Sequence, residues 1–79
     1  MSYYLVESYL ADTADAAEEA RKRARSLDDA RAGVRYVRTT FLPGDETIFH
    51  VFEAPSLSAV RRAARVAALA HERIVEAVE

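Results

Sequence analysis

The sequence predicts an α+β ferredoxin-like fold, a βαββαβ sandwich whose antiparallel sheet has the spatial order 4-1-3-2 and carries two helices on one face. Three observations lead there. Four short runs rich in β-branched and aromatic residues are separated, in the order strand, helix, strand, strand, helix, strand, by two stretches rich in alanine and arginine. Pro43-Gly44 stands between the second and third runs, and so short a connection makes them a hairpin. Each helix then joins two parallel strands with room for one strand between them, and right-handed crossovers bring both helices to the same side of the sheet.

The first strand is Tyr3 to Leu10, where aromatics and β-formers surround one acid, Glu7. Asp12 or Thr13 offers a side-chain oxygen to the free amides of a helix start, and Asp15, Glu18 and Glu19 place negative charge near that positive end. The helix runs to about Arg25, with Ala17, Ala20 and Ala24 inward and acid-first pairs Glu18 with Lys22 and Glu19 with Arg23 outward. Ser26, three residues before Asp29, resembles a second cap and predicts a break followed by a short turn through Arg31, ended by Gly33.

Val34 to Phe41 forms the second strand, with Arg35 and Arg38 interspersed. At Pro43-Gly44, proline presets the first corner and glycine is expected to supply a positive φ at the second. The third strand, Thr47 to Glu53, is apolar on both alternating faces: Ile48, His50 and Phe52 on one, Phe49 and Val51 beside Glu53 on the other. Two helices can cover one face, and a second copy of the chain is expected to cover the other. Pro55 closes this strand and Ser56 caps a helix to about Ala70, with Leu57, Val60, Ala63, Ala64 and Ala67 as its apolar stripe. Ile74 to Val78 is the last strand.

A length of 79 residues allows one domain, residues 1–79. Such a domain buries only about 60 to 65% of its unfolded surface, so added stability is needed. There is no cysteine for a disulfide or a thiolate metal site. Much of the 51% apolar content is alanine, which contributes little area, so self-association is the remaining source and a homodimer through sheet faces is expected. The net charge of −2 argues against a nucleic-acid partner. No apolar run approaches a membrane span, and the N-terminus has no basic region followed by an apolar core, so no membrane partner and a cytoplasmic location are expected.

The blocks Tyr4-Leu5-Val6-Glu7-Ser8-Tyr9-Leu10, Gly33-Val34-Arg35-Tyr36-Val37-Arg38, Phe52-Glu53-Ala54-Pro55-Ser56, Ala59-Val60-Arg61-Arg62-Ala63 and Arg73-Ile74-Val75-Glu76 resemble a family of short bacterial proteins of largely unknown function. One member of that family is described as a nickel-binding protein that forms a ferredoxin-like homodimer. The resemblance covers nearly the whole chain, and Phe-Glu-Ala-Pro-Ser with the following Arg-Arg is its most specific part. It implies nickel or a similar divalent ion as ligand. Where such members carry a Gly-Leu-Pro-like bend, this chain has Leu69-Ala70-His71, and no ligand position carries over by motif.

Candidate residues are few. His50, mid-strand between Phe49 and Val51, is either a core histidine with one hydrogen bond or a pocket base or metal ligand. His71, followed by Glu72, is expected to be exposed at a helix end, where it either complements the helix dipole or offers nickel an imidazole beside a carboxylate. The metal candidates are therefore His71, Glu72 and His50. Glu7 and Glu53 lie in neighbouring strands and need partners, with Arg35 and Arg38 available to Glu53. His50 and Glu53 point to opposite faces of their strand.

Three function classes compete. The leading one is a non-enzymatic small binding protein for nickel or a similar ion. The second is a small-molecule pocket protein or enzyme resembling the dimeric α/β-barrel monooxygenases, with His50, Tyr36 and Phe52 as pocket candidates and no catalytic residue assigned; an apolar pocket of a few hundred Å³ beside His50 discriminates it. A ferredoxin-like RNA-binding module comes last, because the sheet lacks the Gly-Phe-rich signature and the chain lacks positive charge.

Overall fold

A computed structural model describes residues 1–10, 14–28, 30–69 and 71–78. The elements are β1 (Ser2–Tyr9), α1 (Ala14–Arg25), β2 (Arg35–Leu42), β3 (Thr47–Ala54), α2 (Leu57–Val66) and β4 (Arg73–Ala77). They form one antiparallel sheet of order β2-β3-β1-β4, which is the expected 4-1-3-2 counted from the other edge. The expected first cap at Asp12 or Thr13, the acid Asp29 and the expected helix end at Ala70 lie outside the described residues.

Strand alternation assigns the faces. Tyr4, Val6 and Ser8 of β1, Ile48, His50, Phe52 and Ala54 of β3 and Ile74 of β4 are buried beneath the helices. Ala24 of α1 and Val60 and Ala64 of α2 close over them, joined by Leu27, Val34 and Leu69 in one core. Phe52 is at its centre and meets the Tyr36 ring edge-on, with centroids 5.8 Å apart and planes at 66°. The opposite parity, Tyr3, Leu5 and Glu7 with Phe49, Val51 and Glu53, forms the face that carries no helix. Gly33 adopts a φ of +74° and lies against Pro55, whose Cδ would stand 3.3 Å from an added Cβ, so this position needs glycine for both conformation and space.

Local expectations are corrected at the hairpin, at the end of α2 and in the ion pairs of α1. Pro43–Asp45 form a single 3-10 turn, Gly44 has no positive φ, and Glu46 instead takes the left-handed conformation, φ 48°, that closes the hairpin. Proline sets φ equally well for a 3-10 turn, which moves the left-handed corner two residues beyond the glycine. Helix α2 stops at Val66 because Ala68 turns left-handed, φ 55°, and the amides of Ala68 and Leu69 donate back to the carbonyls of Arg65 and Ala64. Those two bonds form a Schellman cap, and buried Leu69 packs under it.

The Ser26 hydroxyl donates to the Arg23 carbonyl at 2.6 Å, and Asp29, the other half of the expected cap, lies outside the described residues. Glu18 pairs with Arg21 at 3.7 Å instead of Lys22, while Arg23 donates across to the Ala68 carbonyl at 3.5 Å. The cap at Ser56 is as expected: its hydroxyl accepts from the Ala59 amide at 3.1 Å.

Candidate functional site

The two histidines occupy opposite environments. His50 is fully buried on the helix side of β3, across from Thr39 on β2 and Val6 on β1. A β-bulge between Tyr36 and Arg38 inserts one extra residue into β2, so that Tyr36 and Thr39 both face inward although they are three apart. The Tyr36 hydroxyl lies 2.7 Å from Thr39 Oγ1, and Thr39 Oγ1 lies 2.8 Å from His50 Nδ1. Burial alone pushes the His50 imidazole down to about 4, so it is neutral at pH 7. Its Nε2 is buried and has no hydrogen-bond partner among the described residues.

His50 lines a cavity of about 330 Å³ between β1, β3, α1 and the turn after α2. Ser8, Leu10, Ala16, Ala20 and Ile48 form much of its wall, and Glu19 and Arg23 belong to the same lining. The alanines of α1 leave this space because each stops at Cβ. Of the three pocket candidates, His50 lines this cavity, Phe52 fills the core and Tyr36 reaches His50 through Thr39. Alternation along β2 gives no hint of Thr39, because the bulge that turns it inward has no mark in the sequence beyond the crowded Tyr36-Val37-Arg38 run.

His71 is exposed just beyond Leu69. Its Nδ1 lies 3.1 Å from the Leu69 carbonyl, which can only accept, so Nδ1 carries a proton and donates. In the neutral ring the Nε2 lone pair is then left for another partner. Glu72 is anchored by its amide, which donates to the Glu7 carbonyl at 2.7 Å. Among the described residues no three His, Cys, Asp or Glu side chains gather into a metal-ligating group. His50, His71 and Glu72 therefore form no common site.

The carboxylates of the open sheet face are paired. Glu53 accepts from Arg35, 3.0 Å from its Nε and 2.8 Å from an Nη, and the Glu53 carboxylate raises the arginine pKa further. Glu7 accepts from Arg73 of β4. These pairs remove both acids from the reckoning for a metal cluster. As expected, Glu53 and His50 face opposite ways.

The family model for the nickel responsive protein SCO4226-like family matches residues 4–77. In structure the chain is similar to the crystal structure of SCO4226 from Streptomyces coelicolor A3(2), with a TM-score of 0.80 at 20% identity, covering 99% of this chain and 98% of that one. No curated protein matches at a significant level.

Proposed function

As a member of the SCO4226-like nickel responsive protein family, the chain is, we propose, a non-enzymatic binding protein for nickel or a similar divalent ion, working as a homodimer through its open sheet faces. The observation that carries the metal reading is the hydrogen bond from His71 Nδ1 to the Leu69 carbonyl. A backbone carbonyl on one ring nitrogen fixes the tautomer and orients the other nitrogen as a donor, an arrangement common behind metal-binding histidines. Nickel accepts imidazole readily, and this chain has no thiolate to offer it.

One chain supplies too few donors, so His71 is the anchor, Glu72 is the adjacent carboxylate, and water or acids of a second chain complete the shell. His50 is the weaker metal candidate because it is enclosed by the core. The test is calorimetric titration of the untagged protein with nickel(II), beside His71→Ala and His50→Gln. Loss of binding in His71→Ala with retention in His50→Gln supports the assignment. Binding that survives both changes assigns the ion to carboxylates, and a wild-type protein that binds no nickel sinks the metal reading.

A further inference from the structure

We propose that the groove between α2 and the C-terminal end of α1 is a docking site for an acidic, amphipathic helix of another protein. It lies on the helix layer, away from the open sheet face, and needs no nickel at His71. Three observations carry it: an open apolar groove, unpaired cations on both of its banks, and a helix α2 that holds no acid.

Among the described residues α1 and α2 barely touch. Near the end of α1 they leave a groove of about 460 Å³, whose walls include Leu27, Ala59, Ala63, Val66 and Ala67. Ala59, Ala63 and Val66 follow one another at i, i+4 and i+7, so they form one stripe along α2. The alanines stop at Cβ and leave depth for the side chains of a partner, while Val66, 83% exposed, stands open to solvent in the same lining. An apolar groove between two helices accepts the apolar face of a third.

Charge narrows the choice of partner. In a chain of net charge −2, α2 carries Arg61, Arg62 and Arg65 and no acid. All three are exposed and none has an ion-pair partner among the described residues, whereas Arg21, Arg35 and Arg73 are each paired with a glutamate. Arg62 lines the groove itself, and at about 100° per residue Arg65 lies behind it on the same bank. On the other bank Lys22 stands one turn before Ser26, a lining residue, and is likewise without an ion-pair partner among the described residues; Glu18 pairs with Arg21. The Ser26 hydroxyl already donates to the Arg23 carbonyl, and the Asp28 carboxylate accepts from the Tyr36 amide at 3.0 Å.

An apolar floor between positive edges selects the occupant. A second copy packed through α2 would set three arginines against three more. The phosphates of RNA would meet the arginines and leave the apolar floor empty, and a flat bilayer cannot enter a concave groove. A helix with leucine-sized residues at i and i+4, flanked by glutamates, satisfies both the floor and the edges.

The probe is a synthetic peptide of about 16 residues with leucines at i, i+4 spacing on one face and glutamates beside them, held helical by a side-chain lactam because free helices of that length are marginal. Amide NMR of the whole protein is read during titration. The peptide should shift the Ala59, Ala63, Val66 and Ala67 amides saturably, and its counterpart with lysine in place of each glutamate should bind at least about tenfold more weakly. Val66→Ser should weaken binding about tenfold. Arg62→Glu with Arg65→Glu, both exposed positions, should reverse the preference, so that the lysine peptide binds the more tightly, while amides away from α2 keep their wild-type shifts. No saturable shift, equal binding of the two peptides, shifts confined to the sheet, or an unchanged preference in the doubly reversed protein would each overturn the proposal. An RNA oligomer or phosphatidylglycerol vesicles that shift the same amides at lower concentration than the peptide would overturn it in favour of that partner.

Discussion

Tyr36 and Thr39, three residues apart on one strand, are joined by a 2.7 Å hydrogen bond on the same face of the sheet. In regular β-structure residues three apart point to opposite faces, so this contact exists only because the bulge between Tyr36 and Arg38 resets the alternation. The reset brings Thr39 opposite His50 and gives the buried imidazole its one hydrogen bond among the described residues. A backbone irregularity on an edge strand thereby determines the polar chemistry of the core.

Thr39→Val keeps the shape of the side chain and deletes its hydroxyl. It leaves both nitrogens of His50 buried without a partner and should lower the unfolding free energy by about 1 to 3 kcal/mol. Tyr36→Phe leaves the threonine in place for His50 and should cost only about 0.5 to 1.5 kcal/mol. Urea unfolding of both variants checks the order, and a larger loss in Tyr36→Phe would contradict it.

Stability should fall on acidification through His50. The folded imidazole is held at about 4, below the ordinary 6.5 of an unfolded chain. As the pH drops from about 6.5 the unfolded state binds a proton that the native state refuses, until the native state also accepts one near 4. The contribution is therefore fully present above about pH 6.5 and is lost over that window, by up to about 3 kcal/mol. Among the described residues, the charged groups lining the cavity with His50 are Glu19 and Arg23, of opposite sign; Tyr36 acts through Thr39. Denaturation of wild type and His50→Gln at several pH values isolates the effect, and parallel pH profiles for the two proteins would refute it.

The element order, the sheet order and the inward placement of Val60 and Ala64 are legible in the sequence because they follow from periodicity and connection length. The ends of the hairpin and of α2 are not. Glu46 and Ala68 both adopt positive φ, a conformation that sequence reading assigns to glycine; at Ala68 the packing of Leu69 outweighs that local preference. The cavity was half legible: His50 stands out as a polar residue in an apolar run, whereas its volume depends on where Ala16 and Ala20 fall relative to Ser8, a long-range relation.

Those two left-handed positions give a direct stability test. A non-glycine residue in this region costs about 1 to 2 kcal/mol, and glycine relieves that cost at the expense of some unfolded-state entropy. Glu46→Gly and Ala68→Gly should each stabilise by about 0.5 kcal/mol or more. Gly44→Val should be close to neutral, since Gly44 has no positive φ and nothing lies within 4 Å of an added Cβ. Thermal unfolding distinguishes them, and a marked loss in Gly44→Val would mean that the turn is not a 3-10 turn.

The open sheet face sets the last test. Tyr3, Leu5 and Phe49 are half-buried there and Val75 is 39% exposed, while Glu7 and Glu53 beside them are already neutralised by Arg73 and Arg35. None of these four side chains is more than 39% exposed, so covering what is exposed should contribute at most about 0.5 to 1 kcal/mol each, and two-fold symmetry counts each twice, giving at most about 4 to 8 kcal/mol. Association costs about 4 to 15 kcal/mol, so gain and cost are of the same size and the proposed dimer would depend on every one of these residues. Phe49→Lys, which places its ammonium opposite Glu7 in the β1–β3 register, can be accommodated by the monomer but puts an ammonium into each half of the interface. Sedimentation at micromolar concentration should show a dimer for the wild type and a monomer with unchanged far-ultraviolet circular dichroism for Phe49→Lys. A wild-type monomer under those conditions would remove the dimer and, with it, the second chain from which the shell around His71 could draw its acids.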